Sequence, residues 1–249
     1  MAVRAVGLAL PAITRLAEAA YLALQSGGRL VYVGAGTSGR LALLDAAECP
    51  PTFGSDPAQV QAVLAGGPGA LVKAVEGAED EAEAGAKAIR ALRVTRDDLV
   101  IGITASGRTP FVMGALEAAR KARARTGLVT SNPKAQAAKS VDLVVAVETG
   151  PELVQGSTRL KAGTATKLVL NAVSTAAFVA LGHVYRGRMI ALRPTNEKLK
   201  ERARQIVEDL LNVTPARAKK LLVAADGSPK KVLAAHVAAE AVRPSRRPR

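Results

Sequence analysis

Apolar and polar positions divide the first part of the chain into short apolar runs separated by alanine-rich, amphipathic runs. Five apolar runs lack the alternation of a half-exposed strand, as is typical of strands covered on both faces. These predicted strands are residues 29–33, 60–64, 98–104, 125–129 and 143–147. Helical spacing between them predicts helices at residues 41–47, 70–92, 110–124 and 134–139. This alternation predicts an α/β fold with a doubly wound, five-stranded parallel sheet.

Beyond residue 149 the pattern becomes mainly helical. A polar loop at 150–163 precedes a predicted helix at 164–182, and residues 186–194 carry no regular pattern. Helix-start signals then predict three helices, at 198–211, from Pro215 with Thr214 as the N-cap, and at 230–242. We therefore expect a large α/β domain over residues 1–197 and a small helical appendage over residues 198–249.

Positive charge is concentrated at the C-terminal end. Residues 186–249 hold 16 Lys and Arg against 6 Asp and Glu, so they carry +10 of the formal net charge of +14. Aromatic residues make up only 2% of the chain, which disfavours nucleic-acid binding by base stacking. We interpret the excess as a solvated basic tail and expect no nucleic-acid partner.

The cysteine count and the apolar segments indicate the cellular compartment that we expect for this protein. The single cysteine, Cys49, excludes a disulfide framework and fits a reducing cytoplasm. The apolar N-terminal run continues with helical spacing through Thr14 and Arg15, which predicts a helix of the fold rather than a cleaved leader. The apolar stretch at 168–181 is too short for a membrane span, and His183 and His236 lack metal-ligand spacing. We expect a cytoplasmic protein with no membrane partner, no metal and no cofactor.

Two glycine- and hydroxyl-rich turns each follow a predicted strand: Gly34-Ala-Gly-Thr-Ser-Gly-Arg40 and Ala105-Ser-Gly-Arg-Thr-Pro110. Backbone N–H groups, hydroxyls and a helix N-terminus in one turn suit a phosphate. Ligands of such sheets bind beyond the carboxyl ends of the strands. We therefore predict that a phosphorylated small molecule lies between the two turns. Its candidate ligands are Gly36, Thr37, Ser38, Ser106, Gly107, Arg108 and Thr109.

Other interpretations of these turns are weaker. The spacing Gly34-x-Gly-x-x-Gly39 matches the dinucleotide-binding fingerprint, but the next strand ends in Ala65-Gly-Gly67 without the acidic residue that would bind a ribose. A Walker-type loop is excluded because no Gly-Lys-Ser/Thr follows. Helix capping explains a single hydroxyl-rich turn, whereas two turns that share Ser-Gly-Arg favour phosphate binding.

Two carboxylates are candidates for acid–base chemistry. Glu48 lies among apolar residues and before two prolines, where partial desolvation would raise the pKa of its carboxyl and favour a proton donor. Glu79 lies in an acidic run at 76–83, for which a solvated helix start is the plain alternative, and composition gives it no priority over Glu76 or Asp80. Cys49 is expected to be a small buried apolar residue rather than a nucleophile.

At these residues the chain resembles the N-acetylmuramic acid 6-phosphate etherases. The similar segments cover about residues 29–200. They are Gly34-Ala-Gly-Thr-Ser-Gly-Arg-Leu41, Asp45-Ala-Ala-Glu-Cys-Pro-Pro-Thr-Phe-Gly54, Ala74-Val-Glu-Gly-Ala-Glu-Asp80, Ala105-Ser-Gly-Arg-Thr-Pro110, Gly156-Ser-Thr-Arg-Leu-Lys-Ala-Gly-Thr-Ala-Thr-Lys167 and Thr195-Asn-Glu-Lys-Leu199. The resemblance implies a sugar-isomerase (SIS) fold. It also implies that the lactyl ether is opened with water during cell-wall recycling, giving N-acetylglucosamine 6-phosphate and D-lactate.

The resemblance also implies roles for individual residues. Glu48 corresponds to the proton donor to lactate, and Glu79 to the second catalytic carboxylate, which we expect to be the base at C2. Arg159 and Lys161 are expected to hold the lactate carboxylate or the phosphate, with a solvated basic loop as the alternative. The expected assembly is a homodimer. Compared with the family, the chain reaches its first strand after a shorter N-terminal segment and has a short C-terminal appendage.

Two further functions are compatible with a SIS domain. One is a non-catalytic sugar-phosphate sensor, as in the related glucokinase regulatory protein, and the other is an aldose–ketose isomerase. The presence of both Glu48 and Glu79 favours an enzyme over a sensor. The context Ala46-Ala-Glu-Cys-Pro-Pro51 argues against the isomerase.

Overall fold

The computed structural model describes residues 1–242, with side chains described through residue 238. The predicted basic tail at 243–249 lies outside the described residues. The chain forms two compact units, the first comprising Met1–Cys49 and Asp56–Leu181, and the second comprising Pro50–Ser55 and the chain from Gly182 on.

A five-stranded parallel sheet forms the centre of the first unit. Its strands, β1 to β5, are Leu30–Gly34, Val60–Leu64, Leu99–Ile103, Arg125–Thr130 and Leu143–Ala146. They lie in the order β2-β1-β3-β4-β5, so the direction of winding reverses between β1 and β3. Every residue of β1 and β3 is buried, as expected of strands covered on both faces. The predicted α/β class and the parallel five-stranded sheet are confirmed, and each strand boundary lies within one residue of its prediction.

Helices cover both faces of this sheet. Those that begin in the first unit, α1 to α6, are Ala2–Leu8, Leu10–Gln25, Gly36–Phe53, Ala82–Ala91, Pro110–Lys121 and Lys161–Ala180. The apolar residues of α2 recur at helical spacing and are buried, which places one face of this helix in the core. Within residues 1–242, no single helix is long and apolar enough to span a membrane; only α1 and α2 taken together, bent by 71°, meet that length and composition.

The prediction of one helix at residues 70–92 is wrong. Pro68–Leu71 and Ala78–Asp80 form short 3-10 helices, and only Ala82–Ala91 is α-helical. Gly77 has a φ of 75°, a left-handed conformation that interrupts a right-handed helix. The alanine-rich segment after β2 is therefore largely a loop, and it borders the site described below. The predicted helix at 134–139 is likewise a short 3-10 helix, Gln136–Ser140.

The second unit contains the predicted C-terminal helices, α7 (Glu197–Leu211), α8 (Pro215–Ala224) and α9 (Pro229–Val242). The predicted N-cap is confirmed, since the Thr214 hydroxyl accepts the N–H of Arg217 at 3.4 Å. The region predicted as irregular contains a short antiparallel pair, β6 (Val184–Tyr185) and β7 (Arg188–Met189). This unit has its own apolar core, formed by Ile190, Leu192, Ala203, Ile206, Val207, Ala218, Leu222, Val232 and Leu233.

Candidate functional site

Both hydroxyl-rich turns lie where the winding of the sheet reverses. Gly34, the last residue of β1, pairs with Ile103, the last residue of β3, so the two turns leave adjacent strands at the same level. The first turn leads directly into α3, and the second leads into α5. Two helix N-termini at one crevice provide backbone N–H groups and partial positive charge, which favour an anion.

A cleft of about 410 Å³ lies between the two turns. It is bordered by residues of four segments: the first turn, the end of β3 with the second turn, the 3-10 helix that carries Glu79, and the loop before α6. The candidate residues that it brings together are Gly36, Thr37, Ser38, Ser106, Arg108, Thr109 and Glu79. The predicted convergence of the two turns is thus present in the fold, and one of the two candidate carboxylates joins them.

Glycine is required where the first turn meets the sheet. A Cβ on Gly39 would lie 2.4 Å from Leu64 Cδ1 and 2.6 Å from the carbonyl oxygen of Gly34. Gly36 has a φ of 52°, in the left-handed region that side chains disfavour. The close approach lets the first turn of α3 lie against the end of β1, which brings Thr37 and Ser38 to the cleft.

Hydroxyls hold the second turn in shape. The buried Thr104 hydroxyl lies 2.8 Å from that of Thr109 and accepts the N–H of Gly107 at 3.2 Å. Gly107 has a φ of 71°, and a Cβ there would lie 2.2 Å from the Cβ of Ala135. Gly107 therefore shapes the turn without bordering the cleft itself.

Thr109 stands where a simple helix cap of α5 would be expected. It occupies the N-cap position of α5, with Pro110 as the first helical residue, yet its side chain makes no capping hydrogen bond. Its hydroxyl instead pairs with Thr104 and borders the cleft. Helix capping therefore does not account for this hydroxyl.

The two candidate carboxylates occupy different places. Glu79 is exposed on the 3-10 helix Ala78–Asp80 and borders the cleft, as does Asp80. Glu48 is exposed on α3 and does not border it. Glu48 follows Thr37 by eleven positions, which corresponds to about 16 Å along the helix. In the single chain, Glu48 therefore stands far from the hydroxyls at the start of the same helix.

Asp45, one turn before Glu48, is the buried carboxylate of this helix. Its carboxylate accepts hydrogen bonds from the Asn171 amide at 2.7 Å, the Tyr32 hydroxyl at 3.0 Å and the Ser174 hydroxyl at 3.1 Å. Burial raises the pKa of Asp45, although these hydrogen bonds and the charge of Lys167 oppose the shift. The desolvation expected at Glu48 thus falls on Asp45 instead, because this is the α3 residue that faces β1 and α6.

Cys49 is buried, as predicted. Burial, with the nearby charge of Asp45, raises the pKa of its thiol to about 12. A thiol with such a pKa stays protonated near neutral pH and is a poor nucleophile. Its side chain donates to the backbone carbonyl of Asp45 at 3.3 Å, so it contributes to packing within α3.

The loop before α6 carries the two basic candidates. Arg159 is exposed, and neither it nor Lys161 borders the cleft; Gly156 and Thr158 of the same loop do. Lys161 Nζ donates to the carbonyl of Pro151. The Glu152 carboxylate accepts the N–H groups of Lys161 and Ala162, at 3.0 and 2.9 Å, and so caps α6. These backbone hydrogen bonds, chiefly that of Ala162, hold the pKa of Glu152 below its ordinary value.

Sequence reasoning missed the supporting residues of the site. The signal for Asp45 was present, because it is a lone carboxylate within an apolar helical run. Nothing in the sequence singled out Glu152 as a cap, since it precedes the helix by nine residues. Within the described side chains, no group of three or more His, Cys, Asp and Glu is arranged to hold a metal ion.

Solved structures of other proteins share this architecture. A phosphoheptose isomerase from Francisella tularensis matches with a TM-score of 0.54 and 20% identity, covering 72% of this chain and 93% of that one. The phosphoheptose isomerase from Neisseria gonorrhoeae matches with a TM-score of 0.54 and 21% identity, covering 71% of this chain and 93% of that one. At these identities the likeness shows the fold alone.

Sequence relatives are much more similar. A family model described as the glucokinase regulatory protein N-terminal SIS domain matches residues 13–120. The N-acetylmuramic acid 6-phosphate etherase of Geobacillus thermodenitrificans is 51% identical, over 92% of this chain and 78% of its own. The etherase of Synechococcus elongatus is 54% identical, over 84% of this chain and 68% of its own. That of Pectobacterium atrosepticum is 47% identical, over 96% of this chain and 80% of its own. Because such identity extends over more than two thirds of each relative, the chain belongs to the N-acetylmuramic acid 6-phosphate etherase family.

Proposed function

We propose that this protein cleaves the D-lactyl ether of N-acetylmuramic acid 6-phosphate, giving N-acetylglucosamine 6-phosphate and D-lactate. The observation that carries the proposal is that Glu79 borders the same cleft as both hydroxyl-rich turns. A phosphate anchor and a carboxylate base are what the reaction requires within one site. The names of the relatives favour this activity over a non-catalytic sugar-phosphate sensor.

The phosphate is the fixed end of the substrate in this proposal. Thr37 and Ser38 approach it from the start of α3, and Ser106 and Thr109 from the turn before α5. Hydroxyls donate hydrogen bonds to phosphate oxygens, and the two helix N-termini and Arg108 supply positive charge. Binding energy from this remote group holds the reacting carbons in place.

The reaction itself is an elimination followed by an addition. Ring opening exposes an aldehyde at C1, which acidifies the proton on C2. Glu79 removes that proton, a C2–C3 double bond forms, and the C3–O bond breaks with its electron pair going to the lactate oxygen. Glu48 protonates that oxygen as lactate leaves. Water then adds its oxygen to C3 and a proton returns to C2. Each acid–base role supplies about 10²–10⁴-fold in rate.

The position of Glu48 favours a homodimer in which the partner subunit completes the site. A proton donor must come within about 3 Å of the oxygen that it protonates. Glu48 lies about 16 Å along α3 from Thr37 and does not border the cleft of its own chain. The Glu48 that acts on a bound substrate is therefore that of a second copy. A two-fold axis relates the copies, so each subunit supplies its Glu48 to the site of the other.

Lactate release tests the activity. The protein is incubated with N-acetylmuramic acid 6-phosphate, and D-lactate and N-acetylglucosamine 6-phosphate are measured. We expect equal amounts of both products. Tight binding of the substrate without release of lactate would support the sensor instead, and a 2-ketose phosphate as product would support an isomerase.

Mixed dimers test the shared site. Copies carrying Glu48→Gln and copies carrying Glu79→Gln are co-expressed with different affinity tags, and the mixed dimer is isolated. In a shared arrangement, one of its two sites combines an intact Glu48 with an intact Glu79, so about half of the wild-type activity returns. If both carboxylates act within one chain, every site lacks one of them and the mixed dimer is as inactive as either variant.

A further inference from the structure

A second, smaller cleft adjoins the main one. It has a volume of about 190 Å³ and lies between the end of β2 and the segment 70–79. The two clefts share Ala35, Gly36 and Glu79 as bordering residues. Glu79 therefore stands at the boundary between the phosphate-side cleft and this side cleft.

The walls of the side cleft are built largely from small side chains, with Arg40, Glu76 and Glu79 as its charged residues. Its lining includes Ala35, Ala65, Ala70, Ala74, Ala78 and Val75. Ala65 and Ala70 are buried and form its inner part, whereas Ala74 is exposed at its rim. Side chains of this size leave room for a group of a few atoms with an apolar end.

The loop that forms the outer wall is held closely against the sheet. Gly66 has a φ of 82°, and a Cβ there would lie 2.9 Å from the Cβ of Val75 and 3.1 Å from that of Ala70. Arg40 reaches across from α3, and its Nε donates to the carbonyl of Leu71 at 3.0 Å. The side cleft is thus a defined feature of the fold, shaped by a glycine turn and a side-chain bridge.

We propose that the side cleft binds the acetamido group on C2 of the sugar; this inference rests on the proposed function. C2 carries both the proton that Glu79 removes and the acetamido nitrogen. The acetamido group therefore begins one bond from the atom that faces Glu79, and the side cleft opens at Glu79. Its methyl group packs against the alanines, and the Arg40 guanidinium, which carries five N–H donors, donates to the amide oxygen.

The charge of the side cleft suits a neutral group. The side cleft is bordered by the carboxylates of Glu76 and Glu79 against the single guanidinium of Arg40. This lining disfavours a carboxylate, whereas the acetamido group is neutral. The side chains of the main cleft have the same balance, Glu79 and Asp80 against Arg108, but two helix N-termini add positive charge there, which favours the main cleft for the lactyl carboxylate.

Binding measurements test this without relying on catalysis. The probes are N-acetylglucosamine 6-phosphate, which has the acetamido group and lacks the lactyl group, and glucose 6-phosphate, which lacks both. We expect the wild-type protein to bind the first about tenfold more tightly or better, as is typical of a well-fitted small group. Equal affinity of the wild-type protein for the two probes would overturn the proposal. This comparison requires no variant protein.

A matched pair of variants locates the effect. Ala74→Leu fills the side cleft from its exposed rim, and Ala84→Leu makes the same change at an exposed position of α4 away from both clefts. We expect Ala74→Leu to weaken binding of N-acetylglucosamine 6-phosphate about tenfold while the Kd for glucose 6-phosphate stays within about twofold. Ala84→Leu should change neither. Equal losses for both probes, or no loss for either, would contradict the proposal.

The two proposals fail in different ways. If lactate is not released but the acetamido preference and its sensitivity to Ala74→Leu are observed, the proposed etherase activity is wrong. The assignment of the side cleft to the acetamido group is then still supported. If lactate is released and Ala74→Leu affects both probes alike, the activity stands and the side cleft is wrong.

Discussion

The Asn171 amide donates to the Asp45 carboxylate across 2.7 Å, which ties α6 to α3. Ser174, one turn along α6, donates to the same oxygen, and Tyr32 of β1 donates to the other. Asp45 thereby joins three elements at one buried point. Since Glu48 follows Asp45 by one turn, this contact also fixes the part of α3 that presents Glu48.

Loss of this contact should destabilise the fold. Asp45→Ala leaves the buried donors of Tyr32 and Ser174 and the half-buried Asn171 amide without their acceptor, and we expect it to lower the free energy of unfolding by about 2–4 kcal/mol. Asp97→Ala removes a carboxylate whose side chain is 55% exposed and should cost less than about 0.5 kcal/mol. Denaturant titration of both variants measures the difference; similar midpoints for the two would mean that the network adds little.

A second buried carboxylate, Asp98, connects β1 to the chain before β3. It is 2% exposed and accepts hydrogen bonds from Arg29 Nη2 at 2.7 Å, from the N–H of Arg29 at 2.8 Å and from that of Thr95 at 2.8 Å. Burial raises the pKa of Asp98, but these hydrogen bonds and the charge of Arg29 outweigh it, so the pKa lies below its ordinary value of 3.8.

The lowered pKa of Asp98 fixes the sign of a pH effect. Its contribution to stability is fully present above about pH 3.8 and is lost as the pH falls through the lower folded pKa. Asp98→Asn should lower the free energy of unfolding by about 3 kcal/mol at pH 7. The variant should also lose less stability than the wild type between pH 4 and more acidic values. Unfolding curves at several pH values test this, and parallel acid profiles would contradict it.

The close approach at Gly39 predicts a functional effect. In Gly39→Ala the new Cβ meets the carbonyl oxygen of Gly34, which is backbone and moves only with the start of α3. We expect kcat/KM for the ether substrate to fall about tenfold or more, because displacement of bound groups by a fraction of an ångström is costly. Gly7→Ala, where nothing lies within 4 Å of the new Cβ, is the control and should retain wild-type kinetics.

The cap on α6 predicts an effect on substrate binding. Glu152 anchors the loop that brings Gly156 and Thr158 to the cleft. We expect Glu152→Ala to raise KM several-fold with little change in kcat, and Glu152→Gln, which keeps one acceptor oxygen, to have a smaller effect. Glu117→Ala on α5 serves as a control for loss of an exposed carboxylate. A fall in kcat at unchanged KM would show that the loop acts on the chemical step instead.

The sheet was predictable because β1 and β3 are buried on both faces, so each appears as an uninterrupted apolar run. The segment 70–92 was not, because its alanines favour a helix while Gly77 and the packing of the loop onto β2 impose turns. This departure from local preference occurs where Glu79 borders the cleft, as is common at functional sites. The place of Glu48 relative to the cleft depends on the length and direction of α3, which motif spacing does not reveal.

Deuterium exchange at C2 most directly tests whether Glu79 is the base at C2 and Glu48 the proton donor to lactate. The wild-type protein, Glu48→Gln and Glu79→Gln are each incubated with N-acetylmuramic acid 6-phosphate in D₂O, and both C2 deuteration of the remaining substrate and release of D-lactate are followed. We expect Glu48→Gln to deuterate C2 without releasing lactate, and Glu79→Gln to do neither. Release of lactate by Glu79→Gln at the wild-type rate, or loss of C2 exchange in Glu48→Gln, would contradict these roles.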